Sequence, residues 1–234
     1  MDRRSFNFAA LSGTGLLALT APIDGHALGL GDLTNAEASQ GLKTALEQGA
    51  LAAVGLLGRT DGFLNNPLVR IPLPGFLADG ARLLRAIGQG KQIQELEVAM
   101  NRAAESAVPM ARDLLVDAVK AMTVVDAKNI LSGGPTSVTT FFADRTRSAL
   151  AQRFLPVVTD VTRNVGLGEK YNQLVSRVSG TGLVKEEDAT IEQYVTPKSL
   201  DGLYLMIGEE EKKIRQNPAS SGKAILTKVF GALR

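Results

Sequence analysis

The sequence predicts an all-α, single-domain irregular helical bundle with a Pro-rich apolar strap and a kinked central helix. Three observations predict it. Apolar residues recur at steps of three and four over most of the chain, the period of helices buried on one side. No run alternates apolar and polar residues as a half-buried strand would. The 234 residues are 44% hydrophobic, enough to build one core in one domain. Aromatics make up only 5% and Trp is absent, so the core is expected to be aliphatic.

The first element read from the N-terminus is an export leader over residues 1–27. Arg3 and Arg4 precede a weakly apolar run from Ala9 to Ala21, a Pro22-Ile23-Asp24-Gly25 break and the small-residue site ending at Ala27. That order is that of a secretory signal peptide, with cleavage expected after Ala27. The apolar run is shorter than the roughly 20 residues of a stable membrane span. Arg3-Arg4-Ser5-Phe6 resembles the twin-arginine export motif, although Asp2, Asn7 and Phe8 depart from it, which keeps general secretory export as the alternative. No Cys follows for lipid attachment. The mature chain, 28–234, is therefore expected to be periplasmic and soluble, with no membrane span.

Cleavage at Ala27 would remove the one His of the chain, His26, and the Cys count is 0. Ser-His-Asp and Cys-His nucleophiles, disulfides, thiol redox chemistry and metal sites of the His/Cys kind are excluded on that reading. No cofactor is expected. Lys plus Arg number 26 against 24 Asp plus Glu, without a dense basic tract, so nucleic acid is not an expected partner.

In the mature chain, Thr34-Asn35-Ala36-Glu37 reads as a capping box opening a helix with Leu42, Leu46, Ala50, Ala53 and Leu57 on one stripe, ended by Gly58. The following RTDGFLNNPLVRIPLPG forbids a helix through Pro67, Pro72 and Pro74 yet carries Phe63, Leu64, Val69, Ile71 and Leu73. Apolar chain of this kind packs over a core opening, so these five residues are read as a strap that either closes the core or covers a ligand. A short helix is expected over Phe76 to Ile87.

The longest amphipathic pattern runs from Lys91 to Met122, with Ile93, Leu96, Met100, Ala103, Ala104, Ala107, Ala111, Leu114 and Ala118 in one stripe. Pro109 should kink it, because its ring removes a helical N–H and crowds the preceding turn. At about 100° per residue, Glu97, Asn101, Glu105 and Arg112 share one flank, with Arg102 beside them. These five residues form the candidate polar pocket. Glu105 suits a general base or cation ligand and Arg112 an anion clamp. The competing reading is a hydrogen-bonded network that registers neighbouring helices.

Thr123-Val124-Val125-Asp126 caps a short helix that Gly133-Gly134-Pro135 stops. The next helix carries Phe141, Phe142, Leu150, Phe154, Val157, Val158, Val161 and Val165, Pro156 should break or bend it, and Gly166 and Gly168 end it. Tyr171 to Val178 predicts a further short helix, and residues 179–189 a hinge; Gly180-Thr181-Gly182 lacks the strand, helix start and lysine of a phosphate loop. Thr196 and Pro197 read as the start of a helix with Leu200, Leu203, Tyr204, Ile207 and Ile214 inward, stopped by Asn217-Pro218. On it, Glu209 to Lys213 and Glu211 to Arg215 read as a solvated, self-paired face. A last helix holds Ile225, Leu226, Val229 and Phe230.

Taken together, LTNAEASQGLKTALEQGA, LLGRTDGFLNNPLVRIPLP, MNRAAESAVP, VTTFFADRT, YVTPKSLDGLYLMIGEEEKKIRQNP and the terminal KVFG resemble the bacterial family catalogued as domain of unknown function 4197. The resemblance covers essentially everything after the leader. It implies a helical fold and an exported location and carries no established activity. Phe141-Phe142 stands where such proteins often have a Tyr-Phe pair.

Three functional readings follow from the residues. The first is an exported, non-enzymatic binding or interaction protein holding a lipid or other apolar or amphipathic small molecule between helices. The second is a carboxylate-dependent hydrolase or lyase using Glu105 with Asn101 and Arg112. The third is an envelope scaffold that self-associates as a homo-oligomer. No residue is assigned a catalytic or metal-ligating role.

Overall fold

The computed structural model describes residues 35–75, 90–134, 136–163, 168–172 and 190–231, with isolated positions at 78, 85, 86 and 88. The leader 1–27, the cap at Thr34, the hinge at 179–189 and most of the helix expected over Phe76 to Ile87 lie outside the described residues. Of the helix expected from Tyr171 to Val178, only residues 171 and 172 are described, and they continue a helical stretch that begins at 168.

Among the described residues the chain is all-α and has no strand. Its helices are α1 (Asn35–Leu57), α2 (Gly90–Ala107), α3 (Arg112–Lys120), α4 (Val124–Ser132), α5 (Ser137–Arg163), α6 (Ile191–Gln216) and α7 (Ala224–Gly231). α1 packs against α3, α4, α6 and α7, while α6 packs against α1, α2 and α5. The middle of the bundle is thus shared by α1 and α6, rather than held by the long Lys91 to Met122 pattern.

On α1 the expected stripe is inward: Leu42, Leu46, Ala50, Ala53 and Leu57 are all buried. Glu37 accepts a bond from Lys228 of α7 at 2.6 Å, tying the two ends of the folded chain together. The buried row of α5 is Val138, Phe142, Thr146, Leu150, Phe154, Val158 and Thr162, a strict four-residue step. Each step advances about 40° around the axis, so the inward face winds and meets different neighbours along its length. Those neighbours are α4, α6, α3 and α2.

Pro109 interrupts the central pattern as expected, through a 3-10 turn over Val108–Ala111 that separates α2 from α3. A 3-10 turn winds faster than an α-helix, and four residues of it advance the phase by about 80°. The buried face of α3 is accordingly Leu115, Ala118 and Val119, and Leu114 is only partly buried.

Two other prolines depart from expectation. α5 continues past Pro156 to Arg163, and α6 starts at Ile191 with Pro197 inside it. In both cases the residue four back, Gln152 or Gln193, is exposed, so water can serve the carbonyl that the proline leaves without a donor. The true cap of α6 is Thr190, whose hydroxyl accepts from the Gln193 N–H at 3.1 Å. Thr196 is buried, and its hydroxyl finds no partner among the described residues.

The core is more aromatic than composition implied. Phe63, Phe141, Phe142, Phe154, Tyr171, Tyr194 and Tyr204 are all buried. Aromatic rings are few, but each removes more apolar surface from water than an aliphatic chain does. Tyr204 joins α6 to α5 through a 2.8 Å hydrogen bond with the Thr146 hydroxyl. Burial pushes its phenol up from the ordinary tyrosine range.

Candidate functional site

The polar flank of α2 and the apolar strap prove to be two halves of one structure. Asn101 is wholly buried, and its amide faces the backbone of Ile71. Its Oδ1 accepts the Ile71 N–H at 2.9 Å, and its Nδ2 donates to the Ile71 carbonyl at 2.9 Å. Nδ2 also donates to the Glu97 carbonyl one turn back, at 2.8 Å. Glu105 is 4% exposed, and its Oε1 accepts the N–H groups of Phe63 and Leu64 at 3.0 and 3.2 Å.

Arg102 completes this fastening. It donates to Glu105 Oε2 and to Asp61 Oδ1, each at 2.6 Å. These two bonds, Glu105 first, hold its guanidinium above the usual arginine value. Asp61 itself sits in the left-handed region at φ 67°, a conformation that Asp tolerates better than most residues. Arg70 on the strap pairs with Glu97 at 2.9 Å.

Glu97, Asn101, Arg102 and Glu105 are therefore brought together as expected, but against the strap rather than around an open pocket. The network registers a loop on a helix, where one between neighbouring helices was expected. Arg112 is not part of it. The 3-10 turn rotates it away, and it lines a separate depression of about 410 Å³ with Glu47, Leu51, Asp113, Val116, Asp117 and Lys120.

Under the strap the space is taken by the strap's own side chains. Phe63, Val69 and Ile71 are buried, and Leu64 and Leu73 are half-buried. A Cβ on Gly202 of α6 would stand 2.8 Å from Phe63 Cε1 and 3.1 Å from Val69 Cβ. The Phe63 ring thus rests directly on the α6 backbone, where a ligand was anticipated.

Space for a ligand is found elsewhere. A cleft of about 580 Å³ lies between the α4–α5 junction and the C-terminal half of α6, lined by Gly133, Thr136, Ser137, Leu205, Gly208 and Lys212 among others. It is within the range of small-molecule sites. Leu205 is 41% exposed, an uncovered apolar side chain on a helix whose other leucines, Leu200 and Leu203, are buried. Glu209, Glu211 and Arg215 also line it. The acidic tract is not the fully solvated face expected, because Glu211 is buried and paired with Arg215, while Lys213 pairs with Glu210 at 2.6 Å.

Sequence reasoning missed Asp61, Arg70 and this cleft. Asp61-Gly62 was visible as a turn, but nothing local shows that its carboxylate meets Arg102, 41 residues away. Leu205 was visible as an apolar residue off the inward stripe.

Among the described residues no helix is long and apolar enough to cross a membrane. Neither a curated protein nor a solved structure matches the chain. A family model does match, across residues 32–231, and the helical fold agrees with what that resemblance implied. The chain belongs to the family described as protein of unknown function (DUF4197).

Proposed function

We propose that this protein is an exported, non-catalytic binding module of the periplasm that holds an apolar or amphipathic small molecule between helices. The observation that carries the reading is the cleft of about 580 Å³ beside the exposed Leu205. It replaces the space beneath the strap as the site. The geometry of Glu105 favours binding over a hydrolase or lyase: one carboxylate oxygen already serves two backbone N–H groups and the other a guanidinium. A general base needs a lone pair within reach of the proton it takes.

Export rests on the leader, with the twin-arginine route carried by Arg3-Arg4. Replacing both arginines by lysine should trap the uncleaved chain in the cytoplasm if that route is used. Native mass spectrometry of the processed protein released from the periplasm should show an apolar adduct that Leu205→Asp loses. A bare protein that also takes up no single-chain amphiphile in vitro would overturn the binding reading.

A further inference from the structure

The charged side chains of the α5–α6 cleft differ in what they already hold. Glu211 and Arg215 pair with each other, so both are already engaged. Glu209 and Lys212 line the same cleft, yet neither makes an ion pair or a side-chain hydrogen bond among the described residues. Residues three apart on a helix have Cβ atoms about 5–6 Å from one another. One wall therefore carries an uncommitted carboxylate and an uncommitted ammonium side by side.

The opposite wall is not neutral to this pattern. Ser137 and Thr139 belong to the first turn of α5, the positive end of that helix's dipole, with the Ser137 N–H itself taken by the Gly134 carbonyl at 3.1 Å. That turn, with Lys212, favours an acidic group. Gly133 and Gly134 line the cleft with backbone alone. Leu205 offers apolar surface in the same cleft.

We propose that the cleft takes a zwitterionic amphipath. Its acidic group would sit between Lys212 and the first turn of α5, its ammonium on Glu209, and its apolar body against Leu205. A singly charged ligand is a poorer fit: an anion would lie beside the unpaired Glu209, and a cation beside the unpaired Lys212. The inference rests on the binding function proposed above and adds the charge class of the ligand. A zwitterionic single-chain lipid and an apolar peptide share this chemistry.

The test is calorimetric titration of the processed full-length protein with dodecyl phosphoethanolamine, leucyl-leucine, dodecanoate and dodecylammonium, each below its micelle concentration. At least one zwitterion should bind about fivefold tighter than both singly charged probes, the gain expected of one exposed charge pair. Dodecyl phosphoethanolamine winning assigns a lipid source, and leucyl-leucine winning a peptide source. Glu209→Gln should abolish the preference over dodecanoate, and Lys212→Gln the preference over dodecylammonium, with circular dichroism unchanged. Equal affinity for the dodecyl probes, untouched by either substitution, would overturn the zwitterion assignment while leaving an apolar binding site. Binding of no probe at all would overturn both.

Discussion

The Asn101 side chain pairs with the backbone of Ile71 as a neighbouring strand would, giving one hydrogen bond and taking another, both at 2.9 Å. An extended, proline-flanked segment has polar backbone groups that no helix can serve. A buried amide carries its donor nitrogen and its acceptor oxygen on separate, neighbouring atoms, the spacing that matches the N–H and carbonyl of one extended residue. This lets an irregular segment lie against a helix without orphaned backbone groups.

Asn101→Ala should therefore be among the costlier single changes in the protein. It strands a buried N–H and a buried carbonyl, each worth about 1–3 kcal/mol of desolvation. A loss of about 3 kcal/mol in urea unfolding is expected, and a loss within error of zero would show that the strap backbone finds other partners.

Glu105→Gln separates fastening from chemistry. The amide oxygen still accepts from Phe63 and Leu64, but Arg102 loses one of its two charged partners and keeps Asp61, for an expected loss of about 2 kcal/mol. Glu105→Ala should cost more and open residues 59–75 to limited proteolysis. Ligand uptake in the α5–α6 cleft should be unchanged by Glu105→Gln.

Gly202→Ala probes the seat of the strap. The added methyl would approach Phe63 to 2.8 Å, closer than packed side chains tolerate. Overpacking of this kind costs about 1–3 kcal/mol. Hydrogen exchange should quicken at the Phe63, Leu64 and Ile71 amides, and an unchanged exchange pattern would mean that α6 yields instead.

Two groups set opposite pH limits. Asp126 closes the cap of α4: its carboxylate accepts the Thr123 N–H at 2.8 Å, and this bond first, with the Thr123 hydroxyl next, holds it below the usual carboxylate range. A depressed carboxylate contributes stability that is present above its ordinary pKa and is lost as pH falls through the folded value. Tyr204, raised by burial, contributes stability that is present below the ordinary tyrosine value and is lost as pH rises through the folded one. Asp126→Asn should flatten the acid limb of a stability profile, and Tyr204→Phe the alkaline limb, each leaving the other limb unchanged.

Helix spacing alone identified the α1 stripe and the grouping of Glu97, Asn101 and Glu105, because both are properties of one element's 3.6-residue period. The same arithmetic placed Arg112 wrongly, since it assumed one winding through Pro109. The proline signal placed the start of α6 at Thr196, whereas the helix starts at Ile191 with Pro197 inside it, next to an exposed Gln193 that no local pattern announces.

By itself the sequence determined the helical class, the turn at Pro109, the cap at Thr123 and Asp126, and the polar character of one α2 edge. Periodicity and capping act between residues within a few positions of each other, so they are written locally. Only the tertiary structure decided that the α2 edge holds down the strap, that Phe63 occupies the space beneath it, and that room for a ligand lies between α5 and α6. Those outcomes depend on which surfaces meet across sequence separations of 30 to 42 residues, as from Asn101 to Ile71 and from Glu105 to Phe63. Burial assigns such partners by three-dimensional fit, which no local period encodes.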